Sequence, residues 1–531
     1  MKIIRLLFSV LLAIMISVFS GLWLPYTAKA ESKLPPSIPK VPDITLENFK
    51  DTPPSVPSFN AFGFTDIAWR TFVTLNWPAN YDGSPLPNVA FGNAPNAPRV
   101  WEFYKDPAQV FLPKGKNYLL NIPNSYPRIL QLDLTKGQGS GSPGNFNSPE
   151  NLQKSRAWIE KVINCGYNRA QMSASLREGE KELILNEIPV VDRQGNYILV
   201  EIRLNQNEFK QIIDNEWYNA AKLAHYNEKN GFQFKSTSTT IDAPIEVKAA
   251  WRVFNENSSP EEKRRYYTTK RILAIPATQY VYTSEPAFCP IGDYVFQEVE
   301  VGLIGFHIAY KIPLQQGSPG WIWATFEQVD NLEVHNPPPG FDLKPTLFNP
   351  DCRVNCLPNY PYVEWPFLWR DRSPHAVTFT KDGQIKEQIP TQVVRLFKDG
   401  KFTNSQLTAT VKKSLEKQNK KWQEEFQKAA GDSLWQYYQL VGTQWLRNPS
   451  IVTQTVPLSR EWLLSKIRND EITPGALFNV SMEAYSQNQT HGDSCIACHV
   501  SATLPSSRGK SEKAFSDFSF LLERAKKSSD R

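Results

Sequence analysis

The sequence predicts an α+β chain in two parts, a domain built on an antiparallel sheet followed by a smaller helical domain. Three observations carry that expectation. From Ile245 onward four strand-like stretches follow one another with only short breaks, and strands in quick succession without helices between them pair antiparallel. Beyond about residue 400 the apolar spacing lengthens to a helical period, as in FTNSQLTATVKKSLEKQNKKWQEEFQKAAG. Near the end stands Cys495-Ile496-Ala497-Cys498-His499, a C-x-x-C-H signature that marks the helical part as the seat of the chemistry.

The chain opens Met1-Lys2-Ile3-Ile4-Arg5, runs apolar from Leu6 to Leu24 and reaches Ala28-Lys29-Ala30. A basic start, an apolar run and an A-x-A pattern read as a secretory signal over residues 1–30, cut after Ala30. The run approaches the ~20 residues that cross a bilayer, so an uncleaved anchor is the rival reading, and membrane contact is expected only in that case. Pro25 and the A-x-A pattern favour cleavage. Loss of the three basic residues of the signal takes the formal net charge from +6 to +3. A balance so near neutral, with no Lys/Arg block interleaved with aromatics, excludes nucleic acid as a partner class. The 15 Trp, 30 Phe and 20 Tyr supply a large core.

Residues 31–60 are Pro-rich and suit an extended leader on the surface. The α+β domain is expected over 61–395. It starts with FGFTDIAWRTFVTLNWPANYDG, where Ile67, Phe72, Leu75 and Trp77 stand among helix formers until Pro78 stops the pattern. RILQLDLT reads as a strand. The next stretch, KGQGSGSPGNFNSPE, formally holds G-x-G-x-x-G in Gly139, Gly141 and Gly144, but Pro143 and Pro149 keep that turn from opening into a helix. A flexible linker is expected there, not a dinucleotide site.

A helix from Asn151 to Arg177 precedes IPVVDRQGNYILVEIRLN, a hairpin turning at Asp192 to Asn196. EFKQIIDNEWYNAAKLAHYNEKNG returns to helical period and ends at Gly231. The strands IEVKAAWRVF, RRYYTTKRILAIPATQYVYTS, YVFQEVEVGLIGFHIAYKIP and GWIWATFEQVD follow, with His307 inside the third between Phe306 and Ile308. A long Pro/Asn-rich excursion then carries His335, Cys352 and Cys356; loops of that length are often functional or cover something. The helical part is assigned to 396–531, with further helices in SLWQYYQLVGTQWLRNP and EKAFSDFSFLLERAKK.

Two thiols at C-x-x-C spacing can each add across a haem vinyl group, and the adjoining histidine then lies beside the iron, so residues 495–499 read as a c-type haem attachment site. No second C-x-x-C exists to complete a zinc site. The expected cofactor is one covalent haem c, with Cys495 and Cys498 as thioethers and His499 as proximal ligand. Haem c is assembled after export, in agreement with the signal. The expected location is the periplasm or an equivalent exported compartment such as the thylakoid lumen. Cys165, Cys289, Cys352 and Cys356 suggest two disulfides, of which Cys352–Cys356 is the shortest closure.

The second axial position decides between electron transfer and access for a small molecule. Residues 500–531 hold neither Met nor His, so that ligand comes from upstream or is absent. Met172, Met482, His225, His307, His335, His375 and His491 are the choices. His491 is tethered too closely, and Met482 reads as a core side chain. His307, on a strand between apolar neighbours, is the candidate distal ligand, with an open or water-bound site as the alternative of equal weight.

The segments AWRTFVTLNWPA, IEVKAAWRV, WIWATFEQVDN and SCIACH, with DFSFLL beyond it, resemble a group of large exported bacterial monohaem proteins labelled "cytochrome c family protein". The resemblance runs over most of the mature chain. It implies covalent haem at Cys495, Cys498 and His499 and a redox role, without a defined activity. The group often has His where Gln328 stands here.

The leading expectation is an exported monohaem c-type cytochrome that passes single electrons between small redox proteins, with the α+β domain as a docking or shielding module. The alternatives are a haem oxidoreductase of peroxidase or oxygenase type with an open distal site, and a haem-based sensor. The chain holds no G-x-S-x-G elbow, H-E-x-x-H or Walker loop that would point to another chemistry.

Overall fold

The computed structural model describes most of residues 57–111, 190–276, 290–311, 320–359, 375–396, 405–446, 472–488 and 495–526, together with the short strand 129–131. The expected signal, nearly all of the leader, the glycines 139–144, the helix from Asn151 to Arg177, the Gly231 cap, Met172, His491, Cys165 and Cys289 lie outside these residues. All that is described belongs to one compact unit that runs from Ser37 to Arg531.

The fold is α+β around a nine-stranded sheet. Its strands are β1 (Ile129–Gln131), β2 (Leu199–Leu204), β3 (Ile245–Val253), β4 (Thr268–Pro276), β5 (Pro290–Ile291), β6 (Tyr294–Lys311) and β7 (Trp321–Gln328). A small second sheet holds β8 (Leu357–Pro358), β9 (His375–Phe379) and β10 (Ile385–Gln392), after which β11 (Tyr438–Leu446) and β12 (Ile472–Thr473) rejoin the first. The helices are α1 (Pro57–Leu75), α2 (Pro107–Val110), α3 (Gln206–Asp214), α4 (Ala220–Leu223), α5 (Pro260–Lys263), α6 (Ser405–Ala429) and α7 (Cys495–His499).

The spine is β6. Its first half pairs with β4 and its second half with β3, and the opposite edge of that second half takes β7, all antiparallel. Because successive strand residues point to opposite faces, β6 and β7 sort their side chains into two sets. Phe306 and Ile308 of β6, with Ile322, Ala324 and Phe326 of β7, belong to the first core, together with Trp69 and Phe72 of α1, Phe426 of α6 and Trp435. Phe72 stacks on Phe326 at 4.3 Å, and Trp69 meets Phe326 edge-on at 4.9 Å. The other set, which includes Ala309, Trp321 and Trp323, belongs to a second core with α3, α4, Ile496, Val500, Leu504, Phe518 and Leu522. Every residue of β7 is buried, as a strand covered on both faces must be.

Local signals account for several element ends. Asn205 caps α3 by accepting a hydrogen bond from Glu208 N, and Ser259 caps α5 ahead of Pro260. The long helical run expected from Glu208 is broken between α3 and α4, where Glu216 takes φ 56°. The 190–198 hairpin forms as expected: Asp192 Oδ1 accepts from Gln194 N and Asn196 N, closing the turn.

The expectation for 396–531 needs correction. Helix α6 is there, but SLWQYYQLVGTQWLRNP is not a helix: after a single 3-10 turn, Leu434–Tyr437, it becomes β11, paired antiparallel with β7 in the main sheet. In EKAFSDFSFLLERAKK the described residues, 515–526, are likewise not an α-helix but an irregular corner followed by a 3-10 turn, Phe520–Arg524. Among the described residues no helical haem domain stands apart. The C-terminal segment covers the second face of the sheet.

Candidate functional site

Five residues make a helix too short to hold itself, so α7 depends on what it docks against. Ile496 and Val500 are buried in the second core. The Ile496 amide, one of the helix-start donors that has no partner within the helix, donates to Gln444 Oε1 at 2.9 Å. Gln444 sits on β11 opposite Trp323 of β7. The sheet therefore caps the motif helix from below.

His499 is half-buried, its ring 5.9 Å from that of Trp323 and 5.1 Å from that of Phe520. Its Nδ1 lies 2.7 Å from the backbone oxygen of Phe518. A carbonyl only accepts, so Nδ1 carries the hydrogen and Nε2 keeps the lone pair, which is the tautomer a metal ligand needs. Burial lowers the basicity of the ring to about 4, so it is neutral near pH 7. Cys495 is half-buried as well, and neither Cys495 nor Cys498 is in a disulfide. Burial, then the Glu483 carboxylate, push the Cys495 thiol well above its ordinary value. That is the reverse of the low-pKa nucleophile of a redox dithiol.

The motif faces a row of polar groups laid across the sheet. Lys248 of β3 pairs with His307 of β6, and His307 with Thr325 of β7, so all three project from one face. His307 Nδ1 lies 2.8 Å from Thr325 Oγ1, and its Nε2 lies 3.1 and 3.0 Å from the two oxygens of Glu483. Lys248 Nζ donates to the same carboxylate at 3.3 Å. Burial alone would raise Glu483, but His307 and Lys248 outweigh it and hold the carboxyl down at about 2. An ionised carboxylate can only accept, so Nε2 of His307 carries a hydrogen in this arrangement. Thr325 also touches the Cys495 thiol, and the row therefore runs from the motif to Lys248.

The loop that carries Glu483 is clamped to the sheet. Asn479 Nδ2 donates to Phe326 O at 2.9 Å and Val480 N to Glu327 Oε1 at 2.9 Å. Gly305 lies beneath: a Cβ there would meet Ser481 Oγ at 2.2 Å, so the close approach requires glycine.

Of the residues singled out from the sequence, Cys495, Cys498, His499 and His307 are brought to one sheet face. Met482 belongs to the first core. His335 and His225 are exposed, and His375 lies on β9 of the small sheet. Gln328 is buried, donating Nε2 to Arg265 O. Cys352 and Cys356 form the expected short disulfide. Sequence reasoning missed Thr325, Lys248, Glu483, Asp517 and Phe518. The first three come together only through strand register and a clamped loop, which leave no mark in the local pattern. The last two lie in the DFSFLL segment, near enough downstream of the motif to signal a chain that folds back onto it.

Among the described residues no group of three or more His, Cys, Asp or Glu side chains could hold a bare metal ion. No family model, curated protein or solved structure matches the chain.

Proposed function

We propose that the protein is an exported monohaem c-type cytochrome carrying single electrons, with haem joined to Cys495 and Cys498 by thioether bonds and to His499 through Nε2. The observation that carries this reading is the Nδ1 to Phe518 O hydrogen bond, which presents a neutral His499 with its Nε2 lone pair beside two thiols at haem-attachment spacing. Held there by Cys495, Cys498 and His499, a haem would supply a one-electron iron(III)/iron(II) couple. The chain holds and orients: Gln444 and Ile496 fix α7, Phe518 O sets the tautomer, and Trp323 and Phe520 pack beside the ring. The donor and acceptor would be small redox proteins of the periplasm or an equivalent lumen, reached through the signal read over residues 1–30. Expressed with haem c maturation, the protein should keep haem through denaturing electrophoresis, and Cys495→Ala with Cys498→Ala should lose it. Haem retained by the double variant would sink the reading.

The His307–Glu483 pair favours a second reading. An imidazole that donates to a half-buried carboxylate is the arrangement of an acid–base group, and it suits a haem oxidoreductase, or a sensor, with an open distal side. As second axial ligand His307 would have to give up Glu483 at Nε2. A ferric spectrum with azide titration separates the two. A low-spin, azide-resistant protein that His307→Ala turns high-spin supports bis-histidine electron transfer, and a high-spin wild type that binds azide supports the open site.

A further inference from the structure

The carbonyl that meets His499 is aimed by two consecutive residues in the left-handed region, Asp517 at φ 55° and Phe518 at φ 68°. Residues with side chains enter that region singly and at a cost, and two in a row without glycine persist only where the surroundings hold them. Here four separate parts of the chain do so. The Asp517 carboxylate is 2% exposed and accepts from Phe234 N at 2.8 Å and from Lys311 Nζ, at the end of β6. Ser516 donates its hydroxyl to Ser519 O at 2.7 Å, and its amide reaches Ala502 O at 3.2 Å, just past the motif helix. The Phe518 ring packs against Trp323 at 5.4 Å and Phe515 at 4.8 Å.

We propose that Asp517 is a positioning residue for His499. Its buried link to Lys311 and Phe234 holds the 516–519 corner so that the Phe518 carbonyl keeps Nε2 as the lone-pair nitrogen and strengthens the imidazole as a donor to haem iron. The inference depends on the haem reading above. A hydrogen bond from Nδ1 raises electron density on the ring and favours iron(III), so its loss moves the couple toward iron(II).

The test is the reduction potential of the holoprotein. Asp517→Ala should shift the ferric/ferrous equilibrium about tenfold toward ferrous, ~59 mV for one electron. Asp517→Ala with Lys311→Met removes both charges and should keep that shift, whereas Asp517→Asn, which retains an acceptor for Phe234 N, should restore most of the wild-type potential. An unmoved potential in Asp517→Ala would overturn the inference, as would a shift that vanishes in the double variant, since that would be a bare charge effect. Should Asp517→Ala not accumulate, the wild type alone decides by NMR: the Nδ1 proton of His499 should resist exchange, and free exchange overturns the inference. Wild type without covalent haem would overturn the haem reading as well, so the two failures are distinguishable.

Discussion

Glu208 and Glu246 bring two carboxyls together beneath the corner that holds His499. Glu208 is buried and Glu246 half-buried. Loss of water, then the charge of Glu246, raises Glu208 well above the carboxylate range, and loss of water, with Asp517 adding to it, raises Glu246 to about 7. Unfolded, both would titrate near 4.5. The folded chain therefore binds more protons between those values, so this stabilisation is fully present below pH 4.5 and is lost as pH rises through 7. Denaturant unfolding should show a stability about 2 kcal/mol lower at pH 8 than at pH 5, after discounting for the partial exposure of Glu246. Glu246→Gln should flatten that slope, and a slope that survives would show the pair is not its source. Glu483 acts in the opposite sense, its contribution present above pH 4.5 and lost as pH falls toward 2, so the two windows do not overlap. Residue chemistry was legible in the sequence where it is contiguous, as in Cys495, Cys498 and His499. It was not legible where the partner is a main-chain oxygen nineteen residues on, since Phe518 O carries no side-chain signature.

At the scale of elements, the Ile496 amide cap and the buried Ile496 and Val500 side chains help hold α7. Gln444→Ala should leave the Ile496 amide buried and unpaired at a cost of about 1–3 kcal/mol, read as a lower unfolding midpoint and a smaller fraction of chains with covalent haem. Full haem loading at unchanged stability would show that the cap is dispensable. Gly305→Ala should lift the 479–483 loop, cost about 1–3 kcal/mol and change the spectrum of any haem that senses His307, because Glu483 moves with the loop. The strands β3, β4, β6 and β7 were legible because β-branched and aromatic residues crowd together there with no helical period. β11 was not: Tyr438, Val441 and Trp445 recur at i, i+3 and i+7 and so suit a helix face as well as a strand, and only the open edge of β7 decides between them.

For the molecule as a whole, the sheet has two cores, one on each face, and the motif belongs to the second. The helical reading of the part beyond residue 395 gives way because β11 is a strand of the sheet, while α7 lies on the second core beside it. The Cys352–Cys356 link closes a loop so short that chain entropy gives it about 2 kcal/mol. Alkylation of native protein without reductant should leave both sulfurs unmodified, and label on either would show the pair open. The alternation along β6 has one more consequence. Phe306 and Ile308 face one core while His307 and Ala309 face the other, so inserting or deleting a single residue between Gly305 and Lys311 would exchange the two sets wholesale. Over evolutionary time this stretch can vary by substitution but not in length, and descendants that keep the site should keep that spacing even where every other loop has grown or shrunk.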